Sequence, residues 1–130
     1  MRHTYLFVLL TFVATSISTS CIKEKETQPM SCVLETANAV FTEASIEVTY
    51  TLEVSGDYQV ASFYYYDETG KVIIENPTGH SSITVALTNQ KLLKAGAEGS
   101  VKTGAMKVSY TAQTNTNLYT GSDQCVQTTQ

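Results

Sequence analysis

No tryptophan occurs in this 130-residue chain, while proline and histidine each occur twice and cysteine three times. Each scarcity narrows the functions open to it. Without indole, the largest flat ring available for stacking, any sugar-binding reading must rest on the eight tyrosines. Histidine is the usual general base near neutral pH. Here His3 lies in the first twenty residues and His80 stands alone after Asn76-Pro77-Thr78-Gly79, beside Ser81 and Ser82. Neighbours on a strand point to opposite faces, so His80 reads as a turn residue rather than the base of a serine nucleophile. The acids Asp57, Asp67 and Glu68 also fall in turn-like stretches. A glycosidase would need two carboxylates roughly 5 to 9.5 Å apart across a sugar-holding cleft. There is no Asp-x-Asp-x-Asp-Gly calcium loop. Gly96, Gly99 and Gly104 lack the lysine-serine ending of a phosphate cradle. No histidine or third thiolate stands at ligand spacing from a cysteine pair. These absences predict no catalytic residue, no metal and no cofactor, with a small secreted hydrolase as the remotest alternative. Eight basic residues against twelve acidic ones give a net charge of −4, and no basic cluster offers a face to nucleic acid.

The chain also lacks an apolar run long enough to cross a bilayer, which takes roughly 20 residues. The longest run, residues 5–14, is broken by Thr11, preceded by Arg2 and followed by Thr15-Ser16-Ile17-Ser18-Thr19-Ser20. A positive start, an apolar centre of about ten residues and a small, polar end make a secretory signal peptide. Residues 1–20 are therefore expected to be removed, and losing Arg2 takes the net charge from −4 to −5.

Ser18 and Ser20 are small enough for ordinary secretory cleavage before Cys21. The stretch Ile17-Ser18-Thr19-Ser20-Cys21 also resembles the lipobox of bacterial lipoproteins, with Ser18 where leucine is usual. That resemblance implies cleavage at the same bond and a diacylglycerol on the Cys21 thiol; plain secretion is the alternative. Ile22-Lys23-Glu24-Lys25-Glu26-Thr27-Gln28-Pro29 is charged and free of aromatics, as a tether too polar to fold should be. Its charge run resembles the surface-export signal of Bacteroidetes lipoproteins, although Lys25 interrupts the paired acids. The expected location is the bacterial outer membrane, at the cell surface or the periplasmic face.

With Cys21 assigned to the lipid, Cys32 and Cys125 remain near the two ends of the folded part. An exported chain meets an oxidising compartment, so the pair is expected to form a disulfide, two buried thiols being the alternative. Closing a loop of about a hundred residues stabilises a fold by up to about 4.7 kcal/mol in the chain-entropy treatment.

What the chain does have is strand pattern. Ser31-Cys32-Val33-Leu34-Glu35 reads as a first strand, and residues 36–44 as a connection. Ile46, Val48, Tyr50, Leu52 and Val54 then alternate with polar neighbours, the period-two signature of a sheet with one wet face. Ser55-Gly56-Asp57 is read as the turn that ends it. In the following strand, residues 58–66, if Ala61, Phe63 and Tyr65 face in then Tyr64 and Tyr66 face out, and a slip of one residue in register swaps the two sets. Asp67-Glu68-Thr69-Gly70 is a hairpin loop, residues 71–75 return, and in residues 81–87 Ile83, Val85 and Leu87 share one side. Residues 90–97 allow a helical turn or a short strand, the latter preferred. After a Thr103-Gly104 turn, Met106, Val108 and Tyr110 face in, and a last hairpin at Thr114-Asn115-Thr116-Asn117 leads to Cys125 and a frayed tail.

Short strands with turn signals every eight to twelve residues predict an all-β fold, a single sandwich of about seven strands. The runs Val48-Thr49-Tyr50-Thr51-Leu52-Glu53-Val54-Ser55-Gly56, Ser62-Phe63-Tyr64-Tyr65-Tyr66-Asp67-Glu68-Thr69-Gly70-Lys71 and Gly104-Ala105-Met106-Lys107-Val108-Ser109-Tyr110 resemble the small immunoglobulin-like domains of Bacteroidetes envelope lipoproteins. More loosely, they resemble small accessory proteins of mycobacterial lipid exporters. The likeness implies an immunoglobulin-like fold over residues 31–130 behind a signal (1–20) and a lipidated tether (21–30), and carries no functional residue. The expected function is recognition of an envelope protein or glycan by a lipid-anchored module, through an outward patch of Tyr64, Tyr66 and Tyr119. A structural accessory subunit docking on a membrane complex by a sheet edge is the alternative. Replacing Cys21 with serine is expected to move the product from the detergent phase to the aqueous phase in a phase-partition assay; continued detergent partitioning would remove the lipid anchor.

Overall fold

A computed structural model describes residues 26–129, and the expected signal peptide and Cys21 lie outside them. Among these described residues every regular element is a β-strand: β1 (Met30–Glu35), β2 (Ala39–Val40), β3 (Ser45–Asp67), β4 (Gly70–Glu75), β5 (Ser81–Thr88), β6 (Leu92–Leu93), β7 (Ala95–Gln113) and β8 (Leu118–Gln127). Six of them form one antiparallel sheet, and β2 pairs with β6 in a separate two-stranded piece. The expected all-β fold is what the chain adopts.

The sheet is built on a ribbon of two long strands. β3 and β7 pair from Thr49↔Thr111 to Tyr65↔Ala95. On the free side of β3, β5 covers the first half and β4 the second. On the free side of β7, β8 covers the C-terminal half and β1 the N-terminal half. The result is two four-stranded layers that share their central strands: β5-β3-β7-β8, and β4-β3-β7-β1. Tyr50 and Tyr65 show that these layers face each other. Fifteen residues of straight strand span about 50 Å, yet the two rings, on one strand, have centroids 5.4 Å apart. The ribbon is folded over, and the core lies in the fold.

Two glycines allow this. Gly56 and Gly104 are register partners, with φ of 77° and 111°, where only glycine avoids a Cβ penalty. A Cβ on Gly56 would overlap the Thr103 carbonyl oxygen, and one on Gly104 the Ser55 carbonyl oxygen. The turns expected at Ser55-Gly56-Asp57 and Thr103-Gly104 are thus corrected. The chain does not reverse there; both strands bend and continue, with a register shift between Asp57 and Tyr58. A second shift between Val60 and Ser62 inserts one residue. It changes the inward set from even numbers (Leu52, Val60) to odd ones (Phe63, Tyr65), and it leaves Ala61 exposed rather than facing in.

Val48, Tyr50, Leu52, Leu87, Met106 and Val108 from one layer meet Phe63, Ala95, Ala97 and Val101 from the other in a single core. Phe41 and Leu93, from the β2–β6 corner, close one end of it, also fully buried. Residues 90–97 make no helical turn: Lys94 separates the short β6 from β7. Cys32 of β1 and Cys125 of β8 form the expected disulfide, with Cα atoms 6.0 Å apart. The backbone N–H of Glu35 donates to Asp123 Oδ2 beside it at 2.9 Å. One side of the folded sheet is therefore stapled, while β4 and β5 border the other.

Gly104→Ala is expected to lower the urea unfolding midpoint by the equivalent of about 1–2 kcal/mol from the left-handed backbone alone, with the carbonyl overlap adding to it. Gly70, whose Cβ would meet nothing within 4 Å, supplies the comparison. Equal losses at the two sites would show that the bend is not held by its close backbone approach.

Candidate functional site

The outer faces of the two layers differ in chemistry. On the β5-β3-β7-β8 layer, Thr84, Thr49, Thr111 and Thr120 stand side by side across the strands, and Thr49 and Thr84 share a hydroxyl hydrogen bond of 2.9 Å. Short neutral hydroxyls of this kind suit a solvated strand surface. The β4-β3-β7-β1 layer carries the outward aromatic pair, with charged side chains around it. Ile73, Tyr64, Gly96 and Glu35 form one cross-strand row, and Lys71 and Tyr66 are direct neighbours in the next.

Tyr64 is fixed from three directions. Its ring lies on Gly96, where any Cβ would overlap the ring carbons. Its hydroxyl donates to Glu35 Oε2 at 3.1 Å. Lys71 Nζ sits over the ring, 3.9 Å from its centroid, a cation–π contact. Burial, together with the hydrogen bond to the Glu35 carboxylate, pushes the Tyr64 hydroxyl up to about 12, so it remains a donor. Glu35 is held below the usual carboxylate range by Lys94, with which it pairs, and then by the Tyr64 hydroxyl. Tyr66 meets Tyr64 edge to face, with centroids 6.4 Å apart at 79°. Val33 and Ile73, 72% and 52% exposed, add apolar surface to the same face. Beside them is an open, shallow depression of about 400 Å³, lined by Ser31, Gln59, Glu98 and Ser100 among others.

Of the expected patch, the structure brings Tyr64 and Tyr66 together and gives Tyr119 other partners. Tyr119 shares its face of β8 with Cys125, and both pack against the core. Its hydroxyl donates to Glu43 Oε2 at 2.9 Å and accepts from the Thr42 N–H at 3.2 Å. Glu43 also accepts from Thr114 Oγ1 and Asn117 Nδ2. Together these tie the 36–44 connection to the last hairpin. Glu35, Lys71, Lys94 and Gly96 were missed in the sequence, since their role exists only once four strands lie side by side.

His80 is exposed, and Ser81 Oγ turns to the Gly79 carbonyl at 3.4 Å. Asp67 accepts from the Thr69 N–H and hydroxyl, and Glu68 accepts from the Thr88 N–H. These acids cap turns and strand ends. No group of three or more histidine, cysteine or acidic side chains gathers as metal ligands among the described residues, and no described helix is long and apolar enough to cross a membrane. Compared with known proteins, the chain matches no family model, no curated protein and no solved structure.

The hydrogen bond from Asn117 first, then one from a backbone N–H and those from Tyr119 and Thr114, lower the Glu43 carboxyl from 4.5 to about 2. A carboxyl depressed on folding adds stability above its unfolded value, and that stability is lost as pH falls toward the folded one. Acid titration of the urea midpoint should show a loss between about 4.5 and about 2. Glu43→Gln should flatten that part of the curve; wild type and variant falling in parallel would remove the role given to Glu43.

Proposed function

We propose that the chain is a lipid-anchored recognition module of a bacterial envelope, non-catalytic, which binds a protein partner through the outer face of its β4-β3-β7-β1 layer. The all-β body, its stapled disulfide and the likeness of its strand runs to immunoglobulin-like envelope lipoproteins support that setting, and Cys21 would carry the lipid. The observation that carries the reading is the way Tyr64 is held. Its ring, hydroxyl and both neighbouring charges are fixed before any partner arrives. Binding surfaces that are ordered in advance lose less side-chain freedom on association. Aromatic residues flanked by a cation, near exposed Val33 and Ile73, have the composition of interface hot spots.

The same geometry favours protein over glycan. A sugar would stack on a free ring face, yet the Tyr64 ring is pressed against Gly96 and has Lys71 over it. A protein partner need not stack on that ring. It can engage the Tyr66 ring, Ile73, and the charges of Lys71, Lys94 and Glu35 around them.

In a pull-down from envelope extract, the full chain with Tyr64→Ser and Tyr66→Ser should lose at least about tenfold of the protein captured by wild type, the loss typical of a hot-spot pair. Capture unchanged by the double substitution would refute the tyrosine face. Loss of binding to a purified polysaccharide, with protein capture intact, would replace the protein partner by a glycan.

A further inference from the structure

The edges of the folded sheet are not equally protected. β1 and β8 adjoin each other through the disulfide and the Glu35–Asp123 hydrogen bond. β4, Gly70–Glu75, carries Lys71 and Glu75 near its ends. β5, Ser81–Thr88, has the sequence Ser-Ser-Ile-Thr-Val-Ala-Leu-Thr, with no charge and no proline, and pairs only with β3. Natural sheets usually guard such an edge with charge, proline or a bulge.

Which backbone groups are free on β5 follows from its two ends. The Asn89 N–H donates to the Ala44 carbonyl, on the β3 side, at 3.2 Å. The Thr88 N–H points the other way and is taken by Glu68. Alternation along an antiparallel strand then directs the N–H and C=O of Ser82, Thr84 and Ala86 away from β3. Three residues thus present a bare ladder edge, closed at one end by the Glu68 carboxylate.

From this edge we infer that β5 pairs with the β5 strand of a second copy of the chain, antiparallel about a two-fold axis at Thr84. In that register Thr84 faces Thr84 of the second copy, and Ser82 faces Ala86. All three free residues on each copy are used, and Thr88 with its Glu68 cap stays outside the ladder. A register moved toward Thr88 would have to displace Glu68. Ile83 and Val85, only half-buried, come opposite each other on the core side. No like charges meet, and exposed His80 of one copy is brought opposite Thr88 of the other, where Glu68 is a complementary acid. The neutral strand and this histidine–carboxylate match favour a second copy over an unrelated strand. The pairing joins the β5-β3-β7-β8 layers of the two copies into one eight-stranded sheet. It leaves the tyrosine face of each copy uncovered, and it stands independently of the proposed partner.

The test is the mass of the full chain, purified in detergent, by density-matched sedimentation equilibrium. Wild type should sediment as a dimer. Thr84→Lys and Thr84→Asp, both at an exposed side chain, should each halve that mass while keeping the far-ultraviolet circular dichroism of the folded chain, because like charges directly opposite repel. Mixing the two variants should restore the dimer. A wild type that stays monomeric at its highest soluble concentration overturns the inference. So does a dimer that survives Thr84→Lys, and so does an equimolar mixture that stays monomeric.

Discussion

The close approach of two backbones at Gly56 and Gly104 is the constraint on which the other features depend. Both residues take left-handed φ values, and each lies where a Cβ would strike the carbonyl of the facing strand. Because the bend occurs in two paired strands at the same level, the ribbon folds without losing its ladder, so backbone groups stay paired through the corner. Everything apolar follows from that. The halves of β3 turn the same side of the ribbon inward, and Tyr50 reaches Tyr65 across the fold. The disulfide then closes the side where β1 and β8, at the rims of different layers, adjoin.

Folding one ribbon into two layers also decides which side chains each outer face carries. Each layer has one outer face, and the shared strands force complementary choices on the two. In the β5-β3-β7-β8 layer the outward positions are mostly threonine, serine and scattered charge, with Leu118 and Val126 exposed on β8. In the β4-β3-β7-β1 layer the inserted residue near Ala61 resets the alternation, so Tyr64 and Tyr66 face out while Phe63 and Tyr65 enter the core. Without that bulge the even-numbered set would have stayed inside and the aromatic pair with it. Gly96 completes the arrangement, since only a residue without a side chain lets the Tyr64 ring lie on the neighbouring strand.

Much of this was legible in the sequence, and the limits have physical causes. Alternation is a local property, so Ile46 to Val54, Ile83 to Leu87 and Met106 to Tyr110 could be assigned to faces directly. The hairpins at Asp67–Gly70 and Thr114–Asn117 were readable from turn chemistry. Glycine between polar residues, however, signals a turn and a bend alike. Ser55-Gly56-Asp57 and Thr103-Gly104 become distinguishable from turns only when each is seen opposite the other, about fifty residues away in the chain. The grouping of Tyr119 with Tyr64 and Tyr66 failed for a related reason. Period two says that Tyr119 shares a face with Cys125, but which face is settled by the disulfide and by Glu43, neither visible in the local pattern. The partners of Tyr64 were beyond reach altogether, because Glu35, Lys71 and Gly96 come from three other strands.

The two sides of the folded ribbon show how stability and association are kept apart. On one, a covalent link and a side-chain acceptor hold β1 beside β8, so the backbone groups there serve the fold itself. On the other, β4 and β5 border different layers with no bridge between them, and the only charged contact to the β5 backbone among the described residues is the Glu68 carboxylate on its last N–H. An acid at that position does two things at once. It satisfies a donor that would otherwise be left at the rim, and it marks where an added strand must stop. An edge meant only to be blunted would carry charge along its length, as β4 does at both ends. β5 carries it at its terminus alone, which limits the length of the open ladder while leaving the ladder usable.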